Sequence, residues 1–266
     1  MKIIKKFYPN KEIFLIKKLN KKNVIKFYKK QHNKILFNEI SGYKYFKKKN
    51  LFKLPKIISF NKKKGYLELE YIPGYKTSFF DIKKIFLKDD LVRKKITIQN
   101  YLGLICKNKK EENYLLVKNF FKIKKLLKKK IYISKTHGDF TRYNIIKYKN
   151  NFYVIDFEKF GERIFPFDII NWYSHSIFYK MSNYLVSNDI RISKNIFFTI
   201  CMNTINNHIR NRIINFYKSK KILTSDNFKV YFILYLLEKI QIIRNDFTLV
   251  DNAQEKQKAK KFIFLL

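Results

Sequence analysis

Between residues 137 and 158 the chain reads His137-Gly-Asp-Phe-Thr-Arg-Tyr-Asn144, a short intervening stretch, and then Asp156-Phe-Glu158. No other segment limits the possible folds as tightly, because it fixes three oxygen-bearing side chains at defined spacing. A carboxylate at Asp139 can accept the proton of an attacking hydroxyl. The Asn144 amide and the Asp156 carboxylate can hold magnesium against the phosphates of a nucleotide. Between Asn144 and Asp156, two apolar-rich runs flank Lys149-Asn150-Asn151. Asn tolerates the left-handed backbone of tight turns, so this stretch is expected to form a β-hairpin. A hairpin brings its ends together, which would place Asn144 beside Asp156 although they are twelve positions apart in sequence. The chemistry this arrangement suits is phosphoryl transfer.

These residues resemble the pattern of the aminoglycoside phosphotransferase and choline kinase superfamily, small-molecule kinases with a protein-kinase-like fold. That pattern is a His-Gly-Asp loop, Asn five positions after the Asp, a short hairpin, then Asp-Phe-Glu, and all stand here in order. The resemblance covers residues 24 to 172. It implies an α+β, two-lobed protein: a small antiparallel-sheet lobe over residues 1–73 that binds nucleotide, and a mainly helical lobe over 74–266 that carries catalysis and the acceptor pocket. It implies ATP and Mg2+ as cofactors, Asp139 as the catalytic base, Asn144 and Asp156 as metal ligands, and His137 as support for the loop.

The same resemblance extends outward from the motif. Val24-Ile-Lys-Phe-Tyr28 is a β-branched and aromatic run of strand character. Within it, Lys26 is the family-like contact for the α- and β-phosphates. Thirteen residues on, Glu39 lies in a stretch from Gln31 to Lys49 where Ile35, Phe37, Ile40 and Tyr43 give a loose helical pattern. It is the single acid between Glu12 and Glu68, and the resemblance implies that it holds Lys26 extended. Gly65 to Ile72 alternates as a half-buried strand does, and Pro73-Gly74 breaks it. By the resemblance this strand ends in the hinge, so Glu70, Tyr71 and Ile72 would meet the adenine through backbone groups. Asp168, after Pro166, matches an Asp that supports the catalytic loop. Helix capping and the helix dipole also favour an acid there.

One departure stands out. No glycine precedes Gly42, and Phe7 to Leu19 offers only Pro9-Asn10-Lys11 as a turn. A glycine-rich hairpin lets backbone approach phosphates closely. Here lysines such as Lys11, Lys17 or Lys18 would have to supply that contact instead.

The 59 basic and 20 acidic side chains give a net charge of +39. Such a surplus attracts polyanions and anionic membranes. Yet Lys, Ile, Asn, Phe and Tyr, whose codons are A/T-rich, abound together, while Ala253 and Ala259 are the whole complement of alanine. Drift in base composition produces the same surplus. The aromatics sit in apolar helical and strand patterns, which assigns them to a core rather than to base stacking; no specific nucleic acid is expected. Cys106 and Cys201 stand alone, without metal-ligand spacing, which suits a reducing cytoplasm. The apolar stretches, such as Tyr231 to Leu237, fall short of a membrane span. Ser78 to Lys107, Glu111 to Lys130 and most of the chain after Trp172 read as helices, with Ser225 or Asp226 as the expected cap of an apolar helix from Phe228 to Ile243.

The expected activity is transfer of the ATP γ-phosphate to a hydroxyl of a small molecule. The Phe140-Thr141 variant resembles relatives in sugar and surface-polysaccharide metabolism, so a sugar or glycolipid intermediate is the first acceptor, an amino-alcohol such as choline the second. Two other classes compete: a catalytically idle kinase-like scaffold, suggested by the missing glycine loop, and a basic polyanion-binding or nucleic-acid-binding protein.

Overall fold

The structure is a computed structural model that describes residues 3–7, 11–18, 21–50, 53–76, 93–106, 126–175, 210–217 and 223–247. In chain order the elements begin with β1 (Ile3–Phe7), β2 (Lys11–Lys18), β3 (Lys21–Tyr28), α1 (Asn33–Lys49), β4 (Ile57–Asn61), β5 (Tyr66–Glu70) and β6 (Tyr75–Lys76). They continue with β7 (Lys94–Thr97), α2 (Ile98–Ile105), β8 (Lys130–Thr136), β9 (Ile145–Tyr148), β10 (Asn151–Val154) and β11 (Gly161–Ile164). The helices α3 (167–175), α4 (Arg210–Tyr217) and α5 (Ser225–Phe247) follow. The fold is α+β, as the sequence led one to expect.

The chain divides into two compact units built from interleaved stretches: Met1–Leu91 with Lys135–Glu162, and Val92–Ser134 with Arg163–Leu266. These units are defined by packing, whereas the boundary expected from sequence at residues 73 and 74 separates lobes by function.

In the first unit, five strands form an antiparallel sheet in the order β1-β2-β3-β5-β4. Its register decides which side chains meet. Lys11 lies opposite Tyr28, Ile13 opposite Lys26, Lys26 opposite Leu67 and Val24 opposite Leu69. Directly paired residues share a face and alternate residues repeat it. Lys11, Ile13, Val24, Lys26, Tyr28, Leu67 and Leu69 therefore occupy one face, where Leu67 and Leu69 are buried. Helix α1 contacts β3 and β5. Its inner face carries Leu36, Glu39, Ile40, Tyr43 and Phe46. This corrects the pattern expected from Ile35 and Phe37, since Ile35 is half-buried and Phe37 exposed. Asn50, in the left-handed region at φ 50°, closes the helix.

A second, three-stranded sheet in the first unit runs β10-β9-β6. The β9–β10 hairpin pairs Tyr148 with Asn151 and Ile145 with Val154. Asn151 thus belongs to a strand, and the loop is Lys149-Asn150. Lys149, not an asparagine, takes the positive φ of 51°.

A further three-stranded sheet runs β11-β8-β7, with Lys94 opposite Ile133 and Thr97 opposite Lys130. Lys94–Thr97 is therefore a strand where a helix was expected. Its pairing with β8 lies 33 residues away in sequence at the Thr97–Lys130 end, beyond the reach of a local pattern. Thr97 ends the strand and caps α2, its side chain accepting the Asn100 N–H at 3.2 Å. Residues 126–128 form a turn and β8 opens at Lys130, so the end of the expected helix from Glu111 to Lys130 is not helical; its residues 111–125 lie outside the described ones. So do residues 78–92 and 107 of the other expected helix, from Ser78 to Lys107. At the start of α5, Thr224 and Asn227 exchange reciprocal bonds, the Thr224 hydroxyl accepting the Asn227 N–H and the Asn227 amide oxygen accepting the Thr224 N–H. Thr224, rather than Ser225 or Asp226, is the cap, in the reciprocal geometry of a capping box.

The core of the second unit is formed by Ile98, Tyr101, Leu102, Phe167, Phe228, Phe232 and Tyr235, all fully buried. Within it Arg163 reaches Glu238 at 2.8 Å, and the Tyr101 hydroxyl donates to Glu238. Among the described residues no helix is long and apolar enough to cross a membrane.

Candidate active site

Lys26, Glu39, Glu70, Ile72, His137, Asp139, Asn144 and Asp156 all belong to the first unit, and Asp168 to the second. Lys26, on β3, points from the α1-covered face and places Nζ 2.6 Å from Glu39 Oε1 and 2.7 Å from Asp156 Oδ1. Glu39 is fully buried on α1. Burial opposes the Lys26 ammonium, but Asp156, Glu39 and Glu158 outweigh it and raise its pKa well above the ordinary lysine value. Burial would also raise Asp156, yet Lys26 and Lys11 hold that carboxyl well below the usual range. Glu39 is pushed up, by burial first, with Lys26 opposing.

Sequence reasoning did not anticipate how crowded this cluster is. Lys11, the first residue of β2, is buried, with Nζ 3.1 Å from the same Asp156 oxygen and also bonded to Glu158. The Tyr28 hydroxyl bonds Glu39 and lies 3.0 Å from Glu158 Oε1. Burial and then Glu39 raise the Tyr28 pKa, so it stays a protonated donor. The signal for both was period two: Tyr28 follows Lys26 by two positions in one strand, and Lys11 opposes Tyr28 once the β2–β3 register is known.

Asp156 sits at φ 69°, in the left-handed region, where a residue other than glycine costs on the order of 1–3 kcal/mol and Asp is among the more tolerant. Phe157 anchors the segment that follows. Its ring is fully buried, 4.7 Å from the Tyr43 ring and 4.5 Å from the His137 ring between centroids. Helix α1 approaches it so closely that a Cβ on Gly42 would lie 2.6 Å from the Phe157 Cβ.

The loop after β8 is held from within. His137 is fully buried, its Nδ1 accepting the Asp139 N–H at 3.2 Å while Nε2 faces the Ile155 carbonyl at 2.9 Å. Only a neutral ring with its hydrogen on Nε2 serves both partners. Gly138 between them takes φ 83°, a conformation suited to glycine. Asn144 ends a 3-10 turn, and its Nδ2 donates to the Asp139 carbonyl at 2.8 Å and to Asp139 Oδ2 at 3.2 Å. Its amide oxygen is then the atom it can offer a cation. The Asn144 carbonyl accepts the Ile155 N–H at 3.0 Å, so the ends of the hairpin stand side by side.

Glu39, Asp156 and Glu158 offer carboxylate oxygens within 4.8 Å of one another. Oxygen donors of this kind suit magnesium. Their exposure ranks them: the Asp156 side chain is 31% exposed, Glu158 11% and Glu39 0%. Asp156 is thus the carboxylate a ligand reaches first, and Glu39 is closed off behind Lys26.

At the end of β5, the Glu70 N–H bonds the Lys56 carbonyl at 2.9 Å, the Tyr71 N–H bonds the Lys22 carbonyl at 3.2 Å, and Ile72 is buried. Asp168 lies in the second unit, buried near the start of α3, where its charge acts on Glu238.

No protein-family model matches the sequence, and no curated protein matches it. Solved structures do. Choline kinase LicA from Streptococcus pneumoniae is 16% identical with a TM-score of 0.58, covering 99% of this chain and 93% of that one. LicA in complex with AMP gives 15% and 0.57, over 99% and 91%. A thermostable mutant of aminoglycoside phosphotransferase APH(4)-Ia in complex with ADP and hygromycin B gives 8% and 0.53, over 98% and 93%. The chain has the protein-kinase-like fold shared by these choline kinase and aminoglycoside phosphotransferase structures.

Proposed function

We propose that the protein is a magnesium-dependent phosphotransferase that moves the γ-phosphate of ATP to a hydroxyl of a small molecule. One observation carries this reading: the buried Lys26 ammonium joins the buried Glu39 to the part-exposed Asp156, and the hairpin sets Asp156 next to an Asn144 that is itself bonded to Asp139. In this reading residues 1–73 are the nucleotide lobe and 74–266 the catalytic and acceptor lobe. The setting is cytoplasmic.

Lys26 steadies the α- and β-phosphates, with Glu39 fixing its direction. Glu70 and Ile72 contribute backbone groups toward the base. Asn144 and Asp156 would hold the magnesium ion, which when bound neutralises charge on the phosphates. Asp139 accepts the proton of the acceptor hydroxyl, its carboxylate oriented by the Asn144 amide. His137 keeps the loop in place and performs no proton transfer, since both ring nitrogens are bonded to the backbone.

For the acceptor, a sugar or surface-glycan intermediate comes first and an amino-alcohol such as choline second. The shared fold with choline kinase LicA supports keeping both in one screen. The test is a phosphoryl-transfer assay with such a panel on wild type and Asp139→Asn. Loss of the general base should cost about 10²–10⁴-fold in kcat while nucleotide affinity is unchanged. Turnover by Asp139→Asn at the wild-type rate would remove Asp139 from the mechanism. Tight nucleotide binding without turnover of any acceptor would favour the idle scaffold.

A further inference from the structure

The roles assigned to the nucleotide site make no use of Lys11, yet this residue is placed as deliberately as Lys26. Lysine is almost never fully buried unless paired, because an ammonium loses its hydration there. Lys11 keeps only 5% of its surface exposed, on the same sheet face as Lys26 and Tyr28. Its Nζ stands 3.1 Å from Asp156 Oδ1, the oxygen to which Lys26 also donates at 2.7 Å. Two ammonium groups at one carboxylate oxygen repel each other, and the three carboxylates Glu39, Asp156 and Glu158 hold them there. With three carboxylates against two ammonium groups, the anion this site would take is one that arrives with its own cation, and a magnesium-bound polyphosphate meets that condition.

The position of Lys11 strengthens the case. It opens the second strand of the β1–β2 pair, and no glycine occurs before Gly42. Where a glycine-rich turn presents backbone N–H groups to phosphates, glycine is needed for the close approach. A lysine reaches the same phosphates on a flexible stem without it. Each ammonium group is also tied to a glutamate, Lys26 to the fully buried Glu39 and Lys11 to Glu158, so Lys11 is the one whose partner lies nearer solvent.

We propose that Lys11 is a second phosphate-binding residue of the nucleotide site, replacing by charge the backbone donors of a glycine loop. The proposal rests on the nucleotide-site reading and adds a residue to it. Its signature is selectivity for phosphate: Lys11 should matter for ATP and not for adenosine.

The experiment is calorimetric titration of Mg·ATP and of adenosine with no acceptor present, which reports affinity without transfer to an acceptor. The proteins are wild type, Lys11→Met, Lys11→Arg and Lys26→Met. Glu158→Gln and Lys11→Met/Glu158→Gln are added so that one charge of each sign is removed together if Lys11→Met alone folds poorly. Lys11→Met should bind ATP about tenfold more weakly or worse, as expected for loss of one charge-assisted bond, with adenosine affinity unchanged. Lys11→Arg should restore most of the loss, and the double variant should show the same deficit relative to Glu158→Gln. ATP affinity unchanged in Lys11→Met, or in the double variant relative to Glu158→Gln, would overturn the proposal while leaving the nucleotide site intact if Lys26→Met still weakens ATP. An equal loss for ATP and adenosine would also overturn it, reducing Lys11 to a structural counter-ion. If wild type binds neither ligand, the nucleotide-site reading itself falls, and this proposal with it.

Discussion

Lys26 illustrates how a buried charge is tolerated at a single residue. Its ammonium is bonded to Glu39 and Asp156, and those carboxylates outweigh the desolvation that opposes it. Removing it leaves Glu39 buried without its cation, so Lys26→Met should destabilise the protein by about 3–5 kcal/mol in urea unfolding. The pH dependence has a definite sign. A lysine whose pKa is raised by folding contributes fully below its unfolded value, about 10.4, and loses that contribution as pH rises through the folded value. The gap between wild type and Lys26→Met should therefore hold through the neutral range and narrow only above about pH 10.4. A gap that closes near neutrality would contradict this assignment of charge. Glu39 was legible in the sequence because acids are so scarce around it. Lys11 was visible only as one of several lysines, because its place depends on strand register, which a period-two pattern in a lysine-rich strand does not fix.

At the scale of elements, helix α1 and the Asp156-Phe157-Glu158 segment pack so closely that glycine is required between them. A Cβ at Gly42 would meet the Phe157 Cβ and ring at 2.6–2.9 Å, whereas one at Gly103 on α2 would meet nothing within 4 Å. The same substitution should then have opposite effects. Gly103→Ala should stabilise by roughly 0.4–1 kcal/mol through the unfolded chain. Gly42→Ala should destabilise by about 1–3 kcal/mol by overpacking, and should weaken nucleotide binding because Phe157 sits between Asp156 and Glu158. Equal effects of the two variants would mean that the α1–Phe157 contact yields easily. Elements with strong local signals were legible: strand β3, the helix around Glu39 and the hairpin all read from patterns a few residues long. Strand β7 did not, because Lys94-Lys-Ile-Thr97 has no local cue stronger than the helical pattern expected around it and is made a strand by distant pairing with β8. The cap at Thr224 was misplaced by one or two positions, since Ser225 and Asp226 are equally good capping types and only the reciprocal bond with Asn227 separates them.

Across the whole molecule, the dominant physical property is the net charge of +39, which attracts any polyanion and decays with added salt. ATP is itself a polyanion, so binding alone is weak support for a nucleotide site. What separates a built site from general attraction is dependence on magnesium and on one carboxylate, because removing an acid from a cationic protein strengthens nonspecific attraction but destroys a metal ligand. The decisive measurement is the melting temperature of wild type and Asp156→Ala, each with ATP alone and with Mg·ATP, at moderate salt. A ligand at one hundred times its dissociation constant stabilises the native state by about 2.7 kcal/mol, enough to move the melting temperature by several degrees. Stabilisation that needs magnesium and appears in wild type but not in Asp156→Ala is the expected result. Equal stabilisation of both proteins, insensitive to magnesium and erased by salt, or no shift in wild type at millimolar Mg·ATP, would contradict the phosphotransferase reading and favour a polyanion binder or an idle scaffold.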